Sequence, residues 1–279
     1  MNTRIIIDST ANLLPQHRAQ TIVVPLNVRF GETEYIDGIT ITNEEFYEKL
    51  EKAEKLPTTS QPSPEVFRKV FQEVTDAGDE AVLITVASKL SGTCQSANIA
   101  AQEFDNIYVV DSGNVAVGSG IMTEYALRLV EEGKSAKEIK EILDNEKENV
   151  HLVAMVDTLK YLKMGGRISG VVAFAGELLN IKPIVEVYDG VIQQISKARG
   201  TKMGNQVLIQ EINKVGEVDY TKPVLFGHSG QSDARVKQFL ESSQDFWKAG
   251  NVPGHSVLMG SVIGAQAGPG IVAIAFFKK

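Results

Sequence analysis

The feature that most constrains the fold of this chain is the alternation of short β-branched runs with helical segments across roughly its first 150 residues. Strands are predicted for the runs RIIID, TIVVPLNVRF, AVLITVAS and NIYVVDS, and most of the intervening segments carry apolar residues at helical spacing. Parallel strands need a long crossover connection, which a helix supplies. The pattern predicts an α/β fold with a mostly parallel sheet and helices on both faces.

Helix starts are marked by short capping signals. Thr42 with Glu45 and Ser135 with Glu138 have the spacing of a capping box, in which each side chain bonds to the other residue's backbone N–H. Pro64 is placed to begin a third helix, because its fixed φ suits the first helical turn. We therefore expect helices to begin directly after Thr42, Ser63 and Ser135.

The second half of the chain predicts another α/β unit. Its first strand is HLVAMV, and Asp189-Gly190 between two alternating runs predicts a two-residue β-hairpin. A chain of 279 residues lies near the length at which single cores divide. We expect an N-terminal domain over residues 1–149 and a C-terminal domain over residues 150–279.

The composition of the chain indicates which binding partners and which cellular compartment to expect. The net charge of −7 gives no surface for nucleic acid or for a basic membrane contact. The single Cys94 has no disulfide partner, and few apolar residues precede Asp8, so a signal peptide is not expected. No apolar run reaches the roughly 18 to 20 residues of a membrane span. These observations predict a cytoplasmic protein.

Small polar residues collect in the loops that follow the predicted strands of the first half. In open α/β sheets, ligands bind where these loops and the helix N-termini meet. Hydroxyl and backbone N–H donors there suit a carboxylate or a phosphate. The loops are Asp8-Ser9-Thr10, Thr58-Thr59-Ser60-Gln61, Ser91-Gly92-Thr93, and Asp111-Ser112-Gly113 with Gly118-Ser119-Gly120.

Other interpretations of these residues remain open at this point. Ser91-Gly92-Thr93 also suits an ordinary helix cap. A hydrolase could pair Ser91 with His228 or His255, although no GxSxG elbow is present. The chain has no P-loop, and its four histidines lack metal-ligand spacing, so neither a cofactor nor a metal is expected.

A series of short segments gives the sequence a more specific identity. In this order they resemble the DegV family, whose members are fatty-acid-binding subunits of bacterial fatty acid kinase. The resemblance covers nearly the whole chain and implies two α/β domains with an acyl chain held between them. The segments are DSTANL at 8–13, TTSQPS at 58–63, LSGTCQSA at 90–97, VVDS at 109–112, YLKMGGRIS at 161–169, LLNIKPI at 178–184, DG at 189–190, KARG at 197–200 and IGAQAGPG at 263–270.

The resemblance implies roles for particular residues. Thr59 and Ser91 would contact the carboxyl head of the fatty acid. The apolar stretch from residue 170 to 181 would line the tunnel for its tail, although plain inter-domain core explains the same residues. Arg167 and Arg199 match family arginines implicated in phosphorylation or partner contact, while surface or capping arginines are the alternative. The remaining ligand-binding candidates are Ser60, Gly92, Thr93 and Gln266.

Gln266 departs from the pattern of the family, which commonly has a histidine before TGPG. A neutral amide donates to a carboxylate oxygen but carries no charge. A buried carboxyl beside it would tend to keep its proton. We expect lipid to bind while phosphorylation is slower or differently tuned. A kinase-coupled acyl-phosphate assay that compares this chain with Gln266→His tests this, and equal rates would remove the argument.

The function implied by the resemblance is presentation of a fatty acid such as palmitate or stearate. The carboxyl group would be phosphorylated to an acyl phosphate for phospholipid synthesis by a separate kinase subunit that supplies ATP. The chain alone would be a monomer without catalytic activity, with transient contact to a membrane or an acyltransferase. One alternative is a stand-alone hydrolase or transferase for a small carboxylate or phosphorylated ligand, and another is an interaction module whose cavity has collapsed.

Overall fold

The structure is a computed structural model that describes residues 2–169 and 180–279. Most of the predicted tail segment, residues 170–179, lies outside the described residues. The strands are β1 Thr3–Asp8, β2 Thr21–Val24, β3 Asn27–Phe30, β4 Thr33–Ile36, β5 Thr58–Ser60, β6 Glu80–Thr85, β7 Ile107–Asp111, β8 Val150–Met155, β9 Ile181–Tyr188, β10 Val191–Arg199, β11 Leu225–His228, β12 Ser256–Leu258 and β13 Val272–Phe277. The helices are α1 Pro15–Arg18, α2 Asn43–Lys52, α3 Pro64–Asp76, α4 Thr93–Ala101, α5 Val117–Glu131, α6 Ala136–Glu146, α7 Lys160–Met164, α8 Thr201–Val215, α9 Ala234–Lys248 and α10 Ser261–Ala267.

The first sheet is parallel, with strand order β2-β1-β6-β7. Alternate residues of its strands face opposite sides, because successive side chains of a strand point in opposite directions. Ile6 packs with Phe67 and Phe71 of α3 on one face, whereas Ile5 and Ile7 pack with α5 and α6 on the other. The predicted parallel sheet with helices on both faces is confirmed.

The helix starts predicted from the capping signals are confirmed. Thr42 caps α2 and Ser135 caps α6, and both capping boxes are complete. Pro64 is the first residue of α3. These contacts satisfy backbone N–H groups that have no partner inside the helix.

The second sheet has the order β10-β9-β8-β13-β11-β12 and is antiparallel except between β11 and β12. The predicted hairpin joins β9 to β10, and Asp189 and Gly190 both have positive φ, as a type I′ turn requires. Helices α8 and α9 cover one face, where Phe226 and Phe239 pack against Trp247.

Helix α5 lies between the two large sheets. Its residues Val117 and Ile121 belong to one continuous core that contains Ile7 of β1 and Ala273 of β13. The first sheet and the second sheet are therefore packed against the same helix.

A third sheet, with the order β4-β3-β5, was not predicted from the sequence. The run TIVVPLNVRF, predicted as one strand, divides at Pro25 into β2 of the first sheet and β3 of the small sheet. Proline has no N–H for a strand ladder, so it marks the division. The segment from Thr58 to Ser60, predicted as a loop, is strand β5, and Thr59 pairs with Val28.

The polar loop predicted at Gly118-Ser119-Gly120 is wrong, because these residues are buried within α5. A side chain at Gly118 would clash with Asn114, and one at Gly120 would clash with the carbonyl of Asn12. The two glycines allow the helix to approach its neighbours closely.

No helix within residues 2–169 and 180–279 is long and apolar enough to cross a membrane.

Candidate functional site

A cavity of about 90 Å³ lies where the strand-end loops of the first sheet meet α10 and the β9–β10 hairpin. Its wall is mostly aliphatic, with hydroxyl, amide and guanidinium groups among the apolar side chains. Such a mixture suits a ligand that has an apolar body and a small polar head. The lining residues are Thr10, Leu26, Thr59, Val86, Leu90, Ser91, Val115, Leu162, Arg167, Ile192, Val262, Ile263, Gln266 and Ala267.

Two predicted site residues in the cavity wall are hydrogen-bonded to each other. Gln266 of α10 donates from Nε2 to Oγ1 of Thr59 at 3.0 Å. Thr59 is half-buried, whereas Thr58 and Ser60 on either side of it in β5 are exposed. Because side chains alternate along a strand, Thr59 alone of the three lines the cavity. Ser60 does not line this cavity, and its role in ligand binding remains a prediction.

The turn before α4 holds the third predicted hydroxyl. Ser91 Oγ lies 2.9 Å from Thr93 Oγ1 and accepts from the backbone N–H of Thr93 at 3.3 Å. Gly92 is the N-cap, and a side chain there would clash with Gln61. Ser91 lines the cavity, whereas Gly92 and Thr93 do not. Both the cap interpretation and the site interpretation therefore fit this turn.

Thr10 lines the cavity but is not among the ligand-binding residues predicted from the sequence. Its hydroxyl donates to Oδ1 of Asp8 at 2.5 Å, and Asp8 also accepts from the N–H groups of Thr10 at 2.9 Å and Val86 at 2.6 Å. Burial raises the pKa of the Asp8 carboxyl, and these hydrogen bonds act in the opposite direction. The signal was present in the sequence, since Thr10 belongs to one of the polar strand-end loops.

Arg167 brings a positive charge to the cavity. Its Nε donates to the carbonyl of Leu90 at 3.2 Å, and a terminal N–H donates to the carbonyl of Gly165. The guanidinium thus joins the segment after α7 to the turn that carries Ser91. Arg199, the other predicted arginine, is an exposed residue at the end of β10 and does not line this cavity.

The tip of the β9–β10 hairpin contacts the loop between β6 and α4. Lys89 Nζ donates to the Asp189 carboxylate at 2.6 Å and to the Asp189 carbonyl at 2.9 Å. The N–H of Gly190 donates to the carbonyl of Gly113 at 2.6 Å. Ile192, two residues further along β10, lines the cavity. The hairpin therefore contributes to the cavity wall and braces the loop that leads to Ser91.

The alternative pairing of Ser91 with His228 or His255 is not supported by these contacts. Ser91 has Thr93 as its hydroxyl partner, whereas His228 Nδ1 lies 3.3 Å from Ser256 Oγ. His255 lines a different pocket, together with His17. Neither histidine belongs to the wall that contains Ser91.

Much of the apolar wall was also not predicted residue by residue. In this wall, Leu162 comes from α7, Ile192 from β10, and Val262 and Ile263 from α10. Their hydrophobicity is the same as that of core residues, so only the folded arrangement distinguishes them.

Comparison with known proteins assigns the family. The family model described as "Uncharacterised protein, DegV family" matches residues 2–279. A DegV domain-containing protein of Deinococcus radiodurans is 33% identical over 280 residues, which cover 99% of this chain and 98% of the relative. The chain belongs to the DegV family.

Solved structures of DegV-family proteins share the fold of this DegV-family chain. The structure of a fatty-acid-binding DegV family protein from Thermus thermophilus has a TM-score of 0.86 at 31% identity and covers 100% of both chains. A stearic-acid-binding protein from Eubacterium ventriosum has a TM-score of 0.84 at 27% identity, and the match covers 100% of this chain and 99% of that one. The family and the mixed α/β fold predicted from the sequence are thereby confirmed.

Proposed function

We propose that this protein binds a long-chain fatty acid such as palmitate or stearate, with its carboxyl head beside Thr59, Ser91 and Gln266. The observation that carries the proposal is the hydrogen bond from Gln266 Nε2 to Thr59 Oγ1, 3.0 Å long. It lies in the wall of a mostly aliphatic cavity that Ser91 also lines. The similar proteins from Thermus thermophilus and Eubacterium ventriosum, which bind fatty acids, support it.

The two ends of the ligand have different energetic roles. Burial of an acyl tail stabilises the complex by about 0.8 kcal/mol per CH₂, so a chain of about 14 to 18 carbons contributes roughly 10–14 kcal/mol before ordering costs. Each hydrogen bond to the head contributes about 0.5–3 kcal/mol, depending on its charge. The tail accounts for affinity, and the hydroxyl and amide groups determine which end of the ligand lies at the polar wall.

We further propose that the chain presents the carboxyl group to a separate kinase subunit, which supplies ATP and forms the acyl phosphate. Phosphoryl transfer requires positive charge near the developing acyl phosphate. Arg167 places a guanidinium in the cavity wall, next to the turn that carries Ser91. Exposed Arg199 is proposed as a contact for the kinase. In this proposal the chain binds and presents its ligand but has no activity alone.

The ligand is tested by native mass spectrometry of the purified protein, followed by solvent extraction and identification of what is released. We expect a co-purified mass that leaves the protein as a free fatty acid. A protein that carries no lipid, and that takes up none on incubation with palmitate, would overturn the binding proposal. Turnover of a small ester or phosphate by the isolated chain would favour a stand-alone hydrolase or transferase.

Presentation to the kinase is tested with Arg167→Ala and a bacterial fatty acid kinase catalytic subunit. We expect ATP consumption that depends on lipid-loaded protein and falls at least tenfold with this variant, while bound lipid is retained. Arg68→Ala is the matched control, because Arg68 lies on α3 and pairs with Glu103 away from the cavity. Equal rates for the two variants would remove Arg167 from the proposal.

A further inference from the structure

We propose that Lys89 is a positioning residue for the head-group site. Through Asp189, at the tip of the β9–β10 hairpin, it holds Ser91 in place for the ligand head. This inference rests on the proposed function and adds a residue that acts through another, because neither Lys89 nor Asp189 lines the cavity. Ligand affinity then depends on a contact between the two halves of the chain that lies outside the cavity wall.

The first half of the chain holds the beginning of the loop between β6 and α4. The backbone N–H groups of residues 86, 87 and 88 all donate to partners at or just after the ends of β1 and β7. In order, these partners are Asp8 Oδ2 at 2.6 Å, the carbonyl of Asn114 at 2.8 Å and the Asp111 carboxylate at 3.1 Å. The loop is therefore fixed as far as residue 88.

The second half of the chain holds the next two residues. Lys89 Nζ donates to the Asp189 carboxylate at 2.6 Å and to the Asp189 carbonyl at 2.9 Å. The carbonyl of Leu90 accepts from Arg167 Nε at 3.2 Å. Both contacts fall on the residues directly before Ser91. The position of Ser91 thus depends on groups that come from the second half.

A tight turn connects Lys89 to Ser91. The N–H groups of Leu90 and Ser91 donate to the same carbonyl, that of Ala87, at 2.9 and 3.2 Å. Residues 87–91 are therefore held together by their own hydrogen bonds. A shift of Lys89 moves the whole turn and with it the hydroxyl of Ser91.

The hairpin tip that holds Lys89 is itself fixed to the first half. The N–H of Gly190 donates to the carbonyl of Gly113 at 2.6 Å, and the N–H of Gly113 donates to Asp111 Oδ1 at 3.0 Å. A Cβ at Gly190 would lie 3.1 Å from the Cβ of Ala87, so the tip packs directly against the turn. The hydrogen bonds form a closed ring through Ser88, Lys89, Asp189, Gly190, Gly113 and Asp111.

The exposure of the pair limits the size of its effect. The side chain of Lys89 is 53% exposed and that of Asp189 is 69% exposed. Ion pairs in water stabilise a protein only weakly, although a network of contacts raises their contribution. We therefore expect a change of a few fold in ligand affinity, and we expect it only while Ser91 is present.

The test is a double-mutant cycle on the full chain, with the Kd for cis-9-hexadecenoic acid measured by equilibrium dialysis. Lys89→Met removes the charge and both hydrogen bonds to Asp189 but keeps an unbranched side chain. We expect it to raise the Kd about threefold to fivefold. In the Ser91→Ala background, the same substitution should change the Kd by less than about 1.5-fold, because the positioned hydroxyl is already absent.

Two further variants separate positioning from a general effect of charge. Lys89→Arg keeps the charge and the donors, so its Kd should stay within about twofold of that of the unchanged chain. Lys237→Met is the matched control, because Lys237 makes an exposed pair with Asp233 at 2.8 Å at the start of α9 and does not line the cavity. It should leave the Kd unchanged.

The outcomes distinguish this inference from the proposed function. An equal loss of affinity from Lys89→Met with and without Ser91, or the same Kd for Lys89→Met and Lys237→Met, would overturn the inference and leave fatty acid binding intact. Failure of the unchanged chain to bind the acid would instead overturn the proposed function.

A measurement without ligand addresses the same point. Amide hydrogen exchange at Leu90 and Ser91 reports how often the turn opens, because both N–H groups donate to Ala87. We expect Lys89→Met to speed this exchange about threefold and Lys237→Met to leave it unchanged. Equal exchange rates in the two variants would contradict a positioning role for Lys89, whether or not lipid binds.

Discussion

The hydroxyl of Ser91 contributes both to a helix start and to the wall of the candidate site. Its oxygen accepts from the N–H of Thr93 at 3.3 Å and lies 2.9 Å from the Thr93 hydroxyl. The same side chain lines the cavity. These contacts order the hydroxyl without a ligand, so a head group bound there, as we propose, would meet a group that is already in position.

Substitution of Ser91 by Ala tests this role at the scale of one residue. We expect the Kd for palmitate to increase roughly fivefold to tenfold, because one hydrogen bond worth about 1 kcal/mol is lost. Ser88→Ala, in the same loop but exposed, is the matched control and should leave the Kd unchanged. Similar affinities for Ser91→Ala and Ser88→Ala would remove Ser91 from the site.

At the scale of elements, α10 is the short helix that carries Val262, Ile263 and Gln266 into the cavity wall. Its close approach to α2 depends on Gly264, because a side chain there would clash with Phe46 and Tyr47. The Tyr47 hydroxyl also donates to the carbonyl of Met259 at 2.9 Å, just before the helix. The position of α10 is therefore set by its contact with α2.

Gly264→Ala should displace this helix. We expect a loss of about 1–3 kcal/mol in the free energy of unfolding, because an added methyl group overpacks a filled interface. The displacement should also weaken fatty acid binding, since Gln266 follows on the same helix. Chemical denaturation and a binding assay measure the two effects.

The control for this substitution is Gly254→Ala. Gly254 is exposed, and an added Cβ there lies 4.0 Å from its nearest neighbour, an ordinary contact distance. This variant should leave both stability and binding unchanged. If Gly264→Ala behaved like Gly254→Ala, the proposed dependence of α10 on α2 would be incorrect.

At the scale of the whole molecule, the two large sheets share the core built on α5. Ile5 and Val82 of the first sheet belong to the same cluster of buried residues as Leu152 and Ala273 of the second. A separation at residue 149 would expose this apolar surface on both pieces. The division into domains over 1–149 and 150–279 remains a proposal, and this shared core gives it a test.

We expect neither fragment, 1–149 or 150–279, to unfold cooperatively when it is expressed alone. Exposed apolar surface favours aggregation or a loosely packed state. Thermal unfolding followed by near-ultraviolet circular dichroism distinguishes a packed fragment from a loose one. A sharp transition in each isolated fragment would show that the two halves are independent domains.

Local signals could be predicted from the sequence because their partners are close along the chain. The capping boxes at Thr42 and Ser135 join residues three apart, and the Asp189-Gly190 turn specifies its own hairpin. The small sheet could not be predicted, because β3 pairs with β5 across α2 and no local pattern encodes that pairing. Of the predicted polar loops, those with Thr10 and Ser91 follow strands of the first sheet and reach the cavity wall. Thr58–Ser60 is instead a strand of the small sheet, and Gly118-Ser119-Gly120 lies within α5.

The residues that line the candidate site are far apart in the sequence. Thr59 and Gln266 are 207 residues apart in the chain, and their contact follows from the packing of α10 against the small sheet. Leu162 and Ile192 look like ordinary core residues in the sequence. The resemblance to a family suggested Thr59, Ser91 and Gln266 as ligand-binding residues. Composition and spacing alone indicated only that polar loops follow the predicted strands.

The cavity wall begins at Thr10 and ends at Ala267, so its parts come from nearly opposite ends of the chain. During translation, a nascent polypeptide that has reached the hairpin still lacks the helix with Gln266. The cavity wall is therefore complete only after α10 has been synthesised. If the proposed function is correct, products that stop before α10 would not enclose a fatty acid.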